Sequence, residues 1–442
     1  MHSERYIYDA LYGPVKFPSL VWEVSSAPEL QRLREVRLCN INSLCLPGGA
    51  NISRYEHALG TCYLAQLWLD THGALLDSET CQTFQLAALL HDVTSAPFGH
   101  SMEYVESRYG FQPERGFCEA ISPPPKPQGN QSYIYRQFQL EPIYFGIPRR
   151  LSELLGLSKL KAIGDLVAGR GLLGRLINGS ISIDLDNIDN VYRLSYHLGI
   201  VRAGDAARDL VRALTVDESG LIVRHDSVHL VQDWYATRSK LYSLLLLNAD
   251  EFSAKCMLSE AIELARERGE WQLRWNDVDY SLLEKLERVS DETAEIVSRL
   301  MVGNLYGCLG IFSSSNTDFC PRLLDRQTRI QLENALSTKL REYCGKRFRT
   351  AMLRLHGIED VNKTQRQVRL RTDSREQVVV GEPSKRLLIG VFFKNTGLSA
   401  TELDYESNTY TSAKEVAQTY LSSVVGDPLL REEPLYDELR KL

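Results

Sequence analysis

The chain has 442 residues, 43% of them hydrophobic and 24% charged, with a formal net charge of −6. That balance excludes a largely disordered chain and a collagen or coiled-coil rod, and the length accommodates two or three domains or one large core with an appendage. The acidic charge excludes dispersed binding to nucleic acid or an anionic membrane as the default, and apolar runs such as Leu244 to Leu247 fall far short of the roughly 20 residues a membrane helix needs.

Met1 to Ala10 is polar and charged, so no secretory leader is expected. Ser25 or Ser26 is placed to cap a helix carrying Leu30, Leu33 and Val36. Residues 42–51, with Pro47-Gly48-Gly49, read as a loop. Ser53 then starts a helix through Leu59, Tyr63, Leu64, Leu67 and Trp68, and Ser78 caps another that runs to His91. Residues 122–130, SPPPKPQGN, exclude regular structure and read as a surface connection. Ile188, Val191, Leu194 and Leu198 repeat at helical spacing, with Gly199 as the C-terminal cap. Trp234 to Asn248 and Ser259 to Arg268 are further helices. After about residue 335 the character changes: Val378 to Val380 and Leu387 to Phe393 flank Gly381-Glu-Pro-Ser384 as a hairpin, and Ser412 to Val425 forms a last helix. The fold class is mainly α, a helical domain over 1–335 with a smaller C-terminal α+β region over 336–442. Nine cysteines without a C-x-x-C pair read as reduced thiols of a cytoplasmic protein.

The residues that carry chemistry are His57, His91, Asp92, His100, Glu103 and Asp186. His91 and Asp92 close the apolar run Leu86-Ala-Ala-Leu-Leu, where a charged pair needs a partner or a function. Imidazole with carboxylate is the mixed donor set that suits Mn, Fe, Zn, Ni or Mg. A histidine-aspartate dipeptide alone carries nothing, and His225-Asp226 is a second one.

The surroundings are more specific. Arg54-Tyr-Glu-His57-Ala-Leu-Gly60, then His91-Asp92-Val-Thr-Ser-Ala-Pro97-Phe98-Gly99-His100, then Asp184-Leu-Asp186-Asn-Ile-Asp189 follow in order. This series resembles the HD superfamily of metal-dependent phosphohydrolases, and more closely its deoxynucleoside triphosphate triphosphohydrolases. The resemblance covers roughly residues 28 to 250. It implies an HD-type helical bundle and one divalent ion held by His57, His91, Asp92 and Asp186. It also implies a His100–Glu103 dyad that moves a proton, Glu114 as another acidic residue of the active site, and Arg54 and Arg238 as contacts to a polyphosphate. A nucleotide substrate and a homo-oligomer are implied with them.

The same pattern is broken where the family reads the nucleoside. Asn190 stands for a tyrosine and Leu194 for an aspartate near the sugar. Leu38 stands for a glutamine, and Ser95 for histidine or asparagine. A site that reads a hydroxyl discriminates by leaving its own groups unpaired when the hydroxyl is missing, so strict deoxynucleotide selectivity is not expected. A phosphohydrolase or nuclease acting on an oligonucleotide or signalling nucleotide is the alternative. Gly169-Arg-Gly171-Leu-Leu-Gly174 lacks the strand that a dinucleotide fingerprint requires. Between 339 and 371, ten lysines and arginines face three acids, which marks an anion site for an allosteric nucleotide or nucleic acid.

Overall fold

The computed structural model describes residues 5–39, 46–99, 102, 150–179, 183–218, 220–269, 277–344, 352–395 and 408–434. His100, Glu103, Glu114 and the Pro-rich stretch 122–130 lie outside the described residues.

Helices dominate. Arg54–His72 begins where Ser53 Oγ accepts from the Glu56 backbone N–H, at 3.2 Å. Ser78–Leu90 is capped by Asp77, which accepts from the Thr80 N–H at 2.8 Å, rather than by Ser78 as expected; the carboxylate one residue earlier reaches the free N–H groups of the first turn. Asp184 caps Leu185–His197, and Gly199 follows it with φ +72°. Ser25 and Ser26 do not start a helix. Both hydroxyls donate to the Trp22 carbonyl and close a preceding helix, Ser19–Ser25, while Leu30 and Leu33 lie on two short turns, Pro28–Gln31 and Arg32–Glu35. Pro47–Ala50 is a single helical turn inside the expected loop. The later helices run further than expected, over Val228–Leu247 and Ala249–Glu267.

Among the described residues, ten strands form three sheets: β1 (Tyr6–Asp9), β2 (Gly13–Lys16), β3 (Leu214–Asp217), β4 (Gly220–Val223), β5 (Gly307–Ser314), β6 (Met352–Val361), β7 (Val368–Thr372), β8 (Gln377–Val380), β9 (Lys385–Asn395) and β10 (Arg431–Glu432). β1 pairs with β2; the others are ordered β3-β4-β7-β8 and β10-β5-β9-β6. The hairpin expected around 381–384 does not form. β8 pairs with β7, and β9 lies between β5 and β6 in the other sheet, so the four-residue turn passes from one sheet to the next. Position 335 falls within the helix Arg326–Cys344, and β5 joins the late sheet from before it.

The cores follow the sheets and not the chain order. The helices of the first half pack around Trp68, Phe84 and Trp234, and Val368, Leu370 and Val380 from β7 and β8 join that core. Trp68 Nε1 donates to the Leu214 carbonyl of β3 at 2.9 Å. A second core sets Phe252 and Met257 against Ile311, Ile358 and Phe392, and a third closes the other face of that sheet with the helices Arg326–Cys344 and Asn408–Val425. Among the described residues, no helix is long and apolar enough to cross a membrane.

Candidate metal centre and its cavity

Three helices bring four donors together. His57 lies one turn into Arg54–His72, His91 and Asp92 follow Ser78–Leu90, and Asp186 lies in the first turn of Leu185–His197. The His57 and His91 Nε2 atoms are 3.1 Å apart. Asp186 Oδ1 is 2.9 Å from the first and 3.7 Å from the second; Asp92 Oδ2 is 3.9 and 3.7 Å from them.

Each donor is oriented by a further group. His91 Nδ1 meets the Ala88 carbonyl at 2.8 Å, so that nitrogen is the proton donor and Nε2 of the neutral ring is a bare lone pair. His57 Nδ1 meets Asp189 Oδ2 at 2.7 Å, and its Nε2 meets Asp186 Oδ1 at 2.9 Å. Asp92 accepts from Ser95 Oγ at 2.9 Å and from Arg54 Nη1 at 2.7 Å. The two imidazole Nε2 atoms therefore face each other, flanked by two carboxylates. That arrangement calls for a cation at its middle, and the donor set fits a divalent metal.

The electrostatics express the same demand. Burial opposes charge on His57, yet hydrogen bonds to Asp186 and Asp189 and the charges of both outweigh it and push the imidazole up to about 10. Burial alone would raise Asp186, but its bonds to His57 and His91 hold it well below the usual carboxylate range. Asp92 is likewise held down against burial by Arg54, His91 and His57.

Behind His57 lies a second layer. Asp189 and Arg193 are fully buried and joined by two bonds, Nε to Oδ2 at 2.9 Å and Nη2 to Oδ1 at 3.0 Å. Arg193 also reaches Asp9 at 2.9 Å and Glu56 at 2.6 Å. Gly60 makes room for this pair: a Cβ there would come within 2.1 Å of Asp189 Oδ1 and of Arg193 Nη2. On the other flank, Arg32 donates to the carbonyls of Val93 and Ser95 at 3.0 and 2.8 Å, and Asp279 accepts the Phe98 N–H at 2.8 Å. Gly99, at φ +45°, lets this turn press on Arg54, whose Nη2 would lie 2.2 Å from a Cβ there.

The centre opens into a cavity of about 430 Å³. Arg54, Arg238, Asn190, Leu194, Leu38 and Ser95, each singled out from the sequence, line it. Arg238 is buried over the Tyr242 ring, 4.2 Å from its centroid. Its Nη1 and Nη2 donate to the backbone carbonyls of Lys363 and Asn362, the second at 3.1 Å, and its Nε has no partner among the described residues. Ser95 faces Asp92, a candidate metal ligand, through its hydroxyl. Lys255, Glu251, Tyr242, Lys363 and Arg366 also line the cavity and carried no recognisable motif. For Lys363 and Arg366 the one available signal was the basic stretch 339–371. Its described members serve several places: Arg354 is bonded to Glu260 at 2.8 Å, Arg371 to Asp217, and Lys363 and Arg366 face the cavity.

The architecture matches a hypothetical protein from Aquifex aeolicus with a TM-score of 0.61 at 15% identity, covering 94% of this chain and 100% of that one. It matches a phosphohydrolase from Bacteroides thetaiotaomicron with a TM-score of 0.59, again at 15% identity, over 89% of this chain and 100% of that one. The fold is thus the mainly helical body these two structures share, here with two histidines and two aspartates gathered at one cavity. In sequence the chain is 22% identical over 271 residues to the deoxynucleoside triphosphate triphosphohydrolase SAMHD1 homolog of Dictyostelium discoideum, over 59% of this chain and 49% of that protein. It therefore spans about half the length of that relative. No family profile matches it. The chain thus resembles the HD-domain phosphohydrolases and, at low identity, their deoxynucleoside triphosphate triphosphohydrolase-like members.

Proposed function

We propose that the chain hydrolyses nucleoside triphosphates, releasing the nucleoside and triphosphate, with little preference between deoxy and ribo sugars. The observation that carries this reading is the convergence of His57, His91, Asp92 and Asp186 on a cavity with five basic lining residues. A divalent ion held by those four supplies Lewis acidity, which lowers the pKa of a water and polarises a phosphoryl oxygen. The chain's own residues do the rest. Asp189 and the Ala88 carbonyl keep both imidazoles turned inward, while Ser95 and Arg54 fix the Asp92 carboxylate. Arg54 and the cavity's other cations draw in the phosphates, as guanidinium and ammonium groups suit phosphate oxygens. Proton transfer at the attacking or leaving oxygen falls to His100 with Glu103, and Glu114 is the further acid.

Two features favour a second reading, a phosphoester that lacks a free 3′-hydroxyl, such as an oligonucleotide or a signalling nucleotide. Leu194 is buried and lines the cavity, and Asn190 Oδ1 is buried with no partner among the described residues. The test is incubation with Mn²⁺ against NTPs, dNTPs and short oligonucleotides, with products identified by mass spectrometry. Intact triphosphate beside a free nucleoside supports the first reading. Mononucleotides released from oligonucleotides, with NTPs and dNTPs untouched, support the second.

A further inference from the structure

Two buried guanidinium groups at the cavity are bonded to neutral oxygens. Arg238 donates to two backbone carbonyls; Arg366, 9% exposed, donates to Asn187 Oδ1 at 3.1 Å and to the Gly179 carbonyl at 3.3 Å. Fully buried Arg32 is likewise held by backbone carbonyls, away from the phosphate-facing lining, whereas buried Arg193 and Arg54 and half-buried Arg329 and Arg354 meet carboxylates. Asp184 acts on both through its charge, but neither makes a direct ion pair with it; a buried charge without a paired partner is costly, and the cost is relieved when an anion arrives.

The loop that carries Arg366 is built to stay in place. Asp360, fully buried at the end of β6, accepts the Lys363 and Thr364 N–H groups, each at 3.1 Å, and Arg386 Nε at 3.0 Å. Ser239 Oγ donates to the Thr364 carbonyl at 3.0 Å. With Arg238 and Ser239 on one helix and Asn187 on another, residues 362–366 are fastened to the helical body beside the metal centre. Among the described residues the cavity has five basic and three acidic side chains, Arg54, Arg238, Lys255, Lys363 and Arg366 against Asp92, Asp186 and Glu251. A bound divalent ion would raise the positive excess from two to four.

We propose that Lys363 and Arg366, on the loop joining β6 to β7, bind the phosphate chain of a nucleoside polyphosphate, so that the C-terminal strands supply a wall of the active site. The proposal rests on the phosphohydrolase reading and adds the residues that recognise its substrate. Arg238 acts here as a positioning residue, since its terminal nitrogens hold the loop's carbonyls.

The experiment uses the full chain and two variants, Lys363→Met and Arg366→Gln; the second keeps an N–H donor for the neutral oxygens and removes the charge. Tripolyphosphate affinity is measured by calorimetry, and KM is measured for dGTP and for bis(p-nitrophenyl) phosphate, which has no phosphate chain. Each variant is expected to weaken tripolyphosphate binding and raise the dGTP KM by about 10- to 100-fold, the range of charge-assisted hydrogen bonds, while the KM for bis(p-nitrophenyl) phosphate moves far less. Bound manganese reports whether the centre is intact. Unchanged tripolyphosphate affinity in both variants, or parallel losses on both substrates, overturns the proposal. A parent that hydrolyses no nucleotide sinks the proposed function instead, and the tripolyphosphate affinities still decide the role of the loop.

Discussion

Two groups of residues share the cavity and differ in how completely they are tied down. Around the metal centre, both imidazoles and the Asp92 carboxylate are oriented by other groups, through Asp189, Ala88, Ser95 and Arg54. Elsewhere the cavity is lined by leucines 38, 194, 245 and 246, and the buried Asn190 Oδ1 has no partner among the described residues. Under the proposed function, the first group serves the chemistry at phosphorus, while the second offers shape without a hydrogen-bond pattern and so predicts weak discrimination between sugars. That reading predicts that chemistry and selectivity can be changed separately.

The sharpest way to break the comparison is at the ligands. The double change His91→Ala, Asp92→Ala removes two donors, and since changes to supporting groups alone cost about 10–100-fold in metal affinity, the loss here should be larger and turnover should vanish. Elemental analysis showing parental metal content would remove the centre from the scheme. Next is the supporting layer. Asp189→Asn keeps the shape but no longer fixes the His57 tautomer, so manganese affinity should fall by about 10–100-fold. Arg193→Met, which strands the buried Asp189 and Asp9 carboxylates, should cost about 3–5 kcal/mol of stability in a denaturant titration. A variant as stable as the parent would mean that this network contributes nothing.

The smallest effect lies at the weakly specified group. The parent should favour dGTP over GTP in kcat/KM by less than about 10³-fold, since larger ratios belong to sites that hydrogen-bond the distinguishing group. Asn190→Tyr with Leu194→Asp should raise that ratio by about tenfold, on the scale of one added hydrogen bond. A 3′-phosphorylated dinucleotide measured alongside shows whether the open lining serves a longer substrate. A parental ratio above the stated bound would mean that other residues read the sugar.

The parts of this molecule legible in its sequence are those governed by near neighbours. Ser53 announces its helix because a cap acts within three residues, and Gly199 ends one because positive φ is a property of a single residue. His57, His91, Asp92 and Asp186 stood out because their neighbours form ordered blocks, and the structure brings them together. What was not legible depends on distant pairing. Gly381 to Ser384 has the composition of a hairpin turn, yet β9 is claimed by β5 and β6, whose registers no local signal encodes. Lys363 and Arg366 looked like members of one basic patch because proximity in sequence was the only measure available. The side chains of Asn187 and Arg238, more than a hundred residues earlier, decide where that loop lies.

Residues 362–367 are also the crossing between two sheets, leaving β6 in one and entering β7 in the other. Asn362, Lys363 and Arg366 of that segment line the cavity, so the two sheets and the pocket share this stretch of chain. The C-terminal strands are therefore a poor place to cut and splice. A chimera joined near residue 335 would exchange part of the pocket along with its supposed appendage, and a graft that folds well could still arrive with a different appetite.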